Sequence, residues 1–241
     1  MSNIQEIKEL HRKRVDFHRT EKATTLRIKA ICRRLCDGDK QEAERLYKAI
    51  WTGEHPLAPY AIEYTAPMIQ ARDVLEAERK RTEKQVEKLA KQLPVWDAFV
   101  KDVRGVAPLS LGQIVGEAGD LGNYPTPAKL WKRMGLAVIN GERQRKVSGA
   151  EALEHGYSPE RRSVMYVIGD SIIKAGGEYA ELYRERKETE ARKVADGTKA
   201  LWHNRAKRYM EKRLLKDIWR AWRKAERDEV ADAEADQAEL A

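Results

Sequence analysis

From Leu75 to Val103 the chain repeats apolar or tolerable residues in alternating steps of four and three, at Leu75, Arg79, Thr82, Val86, Leu89, Leu93, Trp96, Val100 and Val103. That spacing predicts one long, coiled-coil-like helix over 68–102, polar at Arg79 and Thr82, with Pro94 kinking or dividing it. Two readings of the stripe stay open: a homodimer seam, or an amphipathic helix packed inside its own domain. Upstream, residues 3 to about 50 are polar and helix-prone, broken at Asp37-Gly38-Asp39, where glycine suits a helix end. The stretch GEHPLAPYAIEYTAP, 53 to 67, carries three prolines and reads as a linker or an irregular packed corner.

Downstream, a short helix AKLWKRMG follows Pro125 and Pro127, and 142–156 reads as a basic loop. A helix starting near Ser158-Pro159-Glu160 places Val164, Met165, Val167 and Ile168 on its buried side; Gly176-Gly177 ends it, and a charged helix follows from Tyr179 to Lys193. The last strong helix, Lys199 to about Arg227, gathers Leu201, Met210, Leu214, Ile218, Ala221 and Trp222 on one face amid many lysines and arginines. The expected organisation is a helical region with a proline-rich corner over 1–67, the connecting helix 68–102, a helical domain 103–227, and a solvated acidic tail 228–241. The fold class is mostly α.

Composition agrees with this and adds a partner class. Charged residues make up 36% of 241, with only 15 glycines and 8 prolines, which suits long solvated helices better than a sandwich or barrel. A net charge of +8 favours a polyanionic partner. No apolar run approaches a membrane span, and the start MSNIQEIKEL lacks a signal-peptide pattern, so a cytoplasmic protein without membrane contact is expected. Cys32 and Cys36 lie four apart without a second cysteine pair, so reduced structural thiols are expected in place of a zinc site, and no cofactor is called for.

One stretch resists the description of ordinary surface helix. VRGVAPLSLGQIVGEAGDL, 103 to 121, spends glycines on a helix-like segment. A helix, a glycine turn and a second helix whose first-turn N–H groups point outward would form an anion site, the physics of a helix-hairpin-helix element. Gly105 would supply the tight backbone, Pro108 would open the second helix, and Ser110 would reach a phosphate. Gly112 and Gly116 would admit a neighbouring helix. Ala107 stands where such hairpins usually carry a second glycine. A plain helical hairpin in a core remains the competing reading.

The run RGVAPLSLGQIVGEAGDL, then NYPTPAKLWKRMGL, then HNRAKRYMEKRLLKDIWRAW resembles the C-terminal domain of insertion-sequence transposases of the IS one-ten type, the Piv and MooV recombinase relatives. The resemblance covers roughly residues 70 to 225 and is most specific through Leu136. It implies DNA recombination by a bacterial or phage-encoded, nucleoid-associated mobile element. It also implies a RuvC-like domain with four acidic residues and Mg²⁺, and a nucleophilic serine shortly after Leu136. This chain departs on both counts: residues 1–70 hold no apolar strand carrying an aspartate, and AVINGERQRKVSG has no serine until Ser148. Ser148 is the one candidate nucleophile, and no convincingly spaced His or acidic partner stands near it.

The expected function is therefore transposase-like DNA binding without autonomous recombinase chemistry. The expected contacts are Gly105, Ala107 and Ser110 in the hairpin, Lys129, Lys132 and Arg133 in the next helix, and Arg143, Arg145, Lys146, Arg161 and Arg162 in the basic loop and beyond, where guanidinium groups suit phosphate. Structured RNA is the alternative nucleic acid. The competing functions are an active recombinase, using Ser148 or a metal-dependent half in trans, and a helical assembly protein that binds no nucleic acid. Of the six tryptophans, Trp219 and Trp222, three apart, are expected to pack rather than to stack on bases.

Overall fold

The computed structural model describes residues 2–239, with the side chains of residues 229, 230 and 232–239 outside the description. It is 76% helical, and its only sheet is a two-stranded ribbon, so the mostly α class holds among the described residues. The chain divides into a smaller unit, Leu10–Gln85, and a larger unit made of the residues up to Glu9 and those from Val86 onward. The boundaries fall within helices.

The smaller unit is built from α1 (Asn3–Leu35), α2 (Lys40–Thr52) and α3 (Ala58–Ala90). Helix α1 stops where the sequence calls for it: Asp37 and Gly38 take positive φ, and the Gly38 N–H donates back to the Arg33 carbonyl. Asp39 then caps α2, its Oδ1 accepting from the N–H groups of Gln41 at 2.8 Å and Glu42 at 3.0 Å. Those two donors hold the Asp39 carboxyl below the usual carboxylate range. Ile28, Cys32, Ala43, Leu46, Ile50 and Ala61 close the core. Cys32 is thus a core residue, and burial pushes its thiol pKa up.

We expect Asp39→Ala to lower the unfolding temperature by about 2–4 °C, and Asp39→Asn, which caps as well, to restore it. Equal thermal midpoints for the wild type and Asp39→Ala would refute the cap. Because the carboxyl pKa is depressed, the benefit is complete above the unfolded Asp pKa and is lost as pH falls through the folded value.

The 53–67 stretch, expected as a linker or an irregular packed corner, is packed, and from Ala58 it is helical. Helix begins at Ala58 and runs through Pro67. Pro59 falls in the first turn, where no donor is needed. Pro67 does remove an interior hydrogen bond, a cost of roughly 3 kcal/mol. The turns around it are held by the buried residues Ala58, Ala61 and Thr65, with Met68 and Ile69 packed on the core. The expected helix 68–102 likewise changes: α3 ends at Ala90, and Pro94 opens a separate one-turn helix, α4 (Pro94–Ala98), followed by a 3₁₀ turn, Val100–Asp102. The polar positions of the stripe are used inside the chain. Arg79 pairs with Glu21 at 2.7 Å and with Glu83 at 3.0 Å, and Arg14 reaches Glu83 at 2.9 Å, which ties α1 to α3.

The larger unit continues with α5 (Pro108–Ala118), α6 (Pro127–Arg133), the ribbon β1 (Val138–Ile139) and β2 (Glu142–Arg143), α7 (Glu151–His155), α8 (Pro159–Ala175), α9 (Glu178–Lys193) and α10 (Lys199–Glu239). Its core joins Leu111, Ile114 and Val115 of α5, Leu130 of α6, Met165, Ile168 and Ile172 of α8, Tyr179 and Tyr183 of α9, and Met210, Leu214, Ile218 and Trp222 of α10. Val167, expected inside, is 56% exposed, because two residues beyond Met165 a helix has turned about 200°. Two indoles fasten α10 to the layer before it: Trp131 Nε1 donates to the Lys212 carbonyl and Trp219 Nε1 to the Tyr124 carbonyl. Helix α10 runs past the expected boundary at 228; Asp228 is exposed, and the acidic side chains after it lie outside the described residues.

The glycine-bearing stretch does not show a helix-hairpin-helix element: the segments just before Gly105 are the one-turn α4 and a 3₁₀ turn. Gly105 has φ +84°, and a Cβ there would lie 2.6 Å from Ile172 Cα and 2.8 Å from the Ser171 carbonyl oxygen. Its tight backbone therefore serves the approach of α8. Gly112 does the same for α3, since a Cβ there would fall inside the Val86 side chain.

Candidate nucleic-acid interface

The basic segment after α6, expected as loop from 142 to 156, contains structure that aims its arginines. Asn140 and Gly141 take φ 51° and 79° and form the two-residue turn of the β1–β2 ribbon, which pairs Val138 with Arg143 and Ile139 with Glu142. Gln144 follows and is buried. Its Nε2 donates to the carbonyls of Lys132 and His155, and its Oε1 accepts from the Ala137 N–H. These three bonds fasten the ribbon to the end of α6 and to α7. They leave the neighbours Arg143 and Arg145 exposed on either side.

The ribbon, the start of α8 and one face of α10 enclose a groove of about 750 Å³. Arg143 and Arg145 come from the ribbon side, Arg162 and Tyr166 from one face of α8 at a spacing of four, and Leu201, Asn204, Arg205 and Arg208 from one face of α10. Val138, Gly141, Gln144 and Tyr157 complete the lining, which includes five arginines and no carboxylate. The carboxylates that do reach these arginines lie outside the walls: Arg162 pairs with Glu211 at 3.1 Å, Arg145 with Glu142 at 3.1 Å, and Arg205 with Glu190 at 3.4 Å. Nη1 of Arg208 is buried without a hydrogen-bond partner. Burial, then the nearby charges of Arg162 and Arg143, push the Arg208 pKa down despite Glu211. A second recess of about 330 Å³ shares Arg205 and Arg208 and adds Arg186 and Lys212, together with Glu190, so the cationic strip extends further along α10.

Beneath the groove, Glu211 is wholly buried among cations. Burial raises its pKa to about 7, with Arg162 and Lys207 acting against the rise. Lys207, also wholly buried, pairs with Asp170 and places its Nζ 3.2 Å from the centre of the Tyr166 ring. Gly169 makes room for both side chains, since a Cβ there would lie 2.8 Å from Glu211 Oε1 and from Lys207 Cε.

Of the residues expected from sequence, Arg143, Arg145 and Arg162 meet in the groove, and the others lie elsewhere. Gly105, Ala107 and Ser110 stand at the start of α5, with Gly105 turned to α8. Lys129, Lys132 and Arg133 belong to α6, where Arg133 Nε donates to the Glu117 carbonyl. Arg161 turns to the Glu117 carboxylate at 3.5 Å. Lys146 and Ser148 are exposed in the loop before α7, and no hydrogen bond to an activating His, Asp or Glu is formed by Ser148 among the described residues. Arg205, Arg208, Tyr157 and Tyr166 were missed. The α10 pair was legible as a basic face at a spacing of three, and nothing local tied that face to the ribbon.

Trp219 and Trp222 pack as expected: Trp219 lies against the core, and Trp222 is buried with its Nε1 donating to Glu226, while Trp202 Nε1 donates to the Val194 carbonyl and Trp51 is 49% exposed. No group of three or more His, Cys, Asp or Glu side chains able to hold a metal occurs among the described residues, and no described helix is long and apolar enough to cross a membrane. The class is thus a mostly α chain of two units with an arginine-lined groove in the larger one. Comparison with protein-family models, with curated proteins and with solved structures found no match to this chain.

Proposed function

We propose that this chain is a transposase-like DNA-binding protein that grips phosphates in the arginine groove and carries out no recombinase chemistry of its own. The observation that carries the reading is the groove wall, five arginines with no carboxylate among the lining residues. Guanidinium groups match phosphate oxygens in bidentate geometry and stay charged at any working pH. A concave cationic wall also concentrates a polyanion before contact. The resemblance of 103–136 and of the final basic helix to a transposase domain supports the choice of DNA over structured RNA.

The test is fluorescence anisotropy with labelled DNA, beside structured RNA, over a range of salt concentrations. If each groove arginine neutralises one phosphate, log K against log salt falls with a slope of roughly −4 to −5, and Arg143→Ala with Arg208→Ala makes it shallower by about 2. Ser148→Ala leaves binding unchanged. A flat salt dependence, or a double variant indistinguishable from wild type, would remove the groove from the function.

A further inference from the structure

We infer that the groove receives an unpaired stretch of DNA, with phosphates on its arginines and a base stacked against Tyr166, in preference to an intact duplex. This rests on the DNA-binding reading above and names the form of DNA.

The first ground is shape. A duplex presents its phosphates on a convex surface and hides its bases, whereas the site is a recess of about 750 Å³. Recesses of roughly 300–1,000 Å³ enclose ligands of drug size, the scale of a nucleotide or two. A recess of that size takes a phosphate together with whatever projects from it, and in an unpaired strand that is a base.

The second ground is the aromatic content of the wall. Phosphate alone needs cations, yet Tyr157 and Tyr166 line the same recess as the five arginines. Both rings are held from the protein side. Tyr166 leans on the wholly buried Lys207 ammonium, which Asp170 fixes in turn, while 44% of the residue stays exposed. Tyr157 lies on the Gly135 backbone, where an added Cβ would come within 3.3 Å of its Cε2. With Lys207 Nζ against the Tyr166 ring and the Arg162 guanidinium 5.7 Å from its centre, an exposed ring stands among cations on the wall of the recess, a platform for a base, because stacking asks only for a π face and tolerates any sequence. Val138, 57% exposed on the same wall, adds an apolar surface that duplex phosphates would leave unused and a base or sugar would cover.

The experiment compares four fluorescein-labelled probes of equal length with the full chain by anisotropy: oligo-dT, the same backbone with abasic sites throughout, a blunt duplex, and a single-stranded RNA. Oligo-dT is expected to bind roughly tenfold or more tighter than the abasic strand and the duplex, and Tyr166→Ala to remove that advantage while Tyr166→Phe keeps it. The abasic comparison is made on the wild-type protein, so it does not depend on the folding of any variant. Equal affinity for oligo-dT, abasic strand and duplex would overturn the inference and leave phosphate binding standing. RNA bound more tightly than oligo-dT would overturn the choice of DNA. No binding of any probe would overturn the DNA-binding reading and the inference with it.

Discussion

Replacing Gly105 with alanine is expected to destabilise the larger unit by about 2–5 kcal/mol. Two costs add at this residue. An L-residue held at φ +84° loses about 1–2 kcal/mol relative to glycine. The new methyl would also stand 2.6 Å from Ile172 Cα and 2.9 Å from Ile172 N, both backbone atoms of α8. Backbone cannot rotate aside as a side chain can, so either α5 or α8 must move, a strain worth roughly 1–3 kcal/mol. Gly119 supplies the control, with φ +81° and nothing within 4 Å of an added Cβ. Its alanine variant pays the conformational cost alone. Urea unfolding followed by tryptophan emission should show the Gly105 variant shifted well beyond the Gly119 variant; equal shifts would mean that α8 does not depend on the absence of a side chain at 105.

Glu211 should give the protein a stability that declines as pH rises through neutrality. Its folded pKa of about 7 lies above the value of 4.5 expected when unfolded. Between those values the unfolded chain binds fewer protons than the folded one, so each step upward in pH favours unfolding. Stability from this source is complete below pH 4.5 and gone above about 7, a loss on the order of 3 kcal/mol. Glu211→Gln keeps the shape and cannot ionise. Unfolding midpoints of the two proteins from pH 5 to 8 should draw apart by that amount, with the wild type falling relative to the variant. Parallel curves would show that the paired cations Arg162 and Lys207 fully offset the burial.

The contrast between Gly105 and the groove shows what was legible in the sequence. Helix content, the break at Asp37-Gly38-Asp39 and the start of α8 at Ser158-Pro159 follow from local preferences, and local preferences are written in neighbouring residues. The unusual cost of glycine near 105 was also legible, but its close approach was read as backbone to phosphate, with helix packing expected only at Gly112 and Gly116. The backbone that Gly105 meets was not legible. Ile172 lies far along the chain, and only the packed core sets α8 rather than a phosphate at that spot. The groove follows the same logic: Arg143 and Arg162 were visible as charge, but Gln144, whose three hydrogen bonds fix the ribbon, looked like one polar residue in a polar loop. The Asn140-Gly141 turn could have been read directly, as its dipeptide is a strong hairpin signal. Pro67 shows the opposite failure, a strong local rule overridden by the burial of Ala61 and Thr65 beside it.

The two indole clasps on α10 bear on how the chain is made. Trp131 and Trp219 join positions 81 and 95 residues apart in sequence, and the core they close draws on Ile7 at one end and Trp222 near the other. The smaller unit is a continuous stretch, Leu10–Gln85, and has all its residues once that stretch has been synthesised. The larger unit does not. At about 5–20 residues per second, the start of α10 follows the smaller unit's last residue by roughly 6–23 s, and until it is made α6, α8 and α9 lack the helix that packs on them. A nascent chain that ends before α10 thus carries the larger unit's core open, without Met210, Leu214, Ile218 and Trp222.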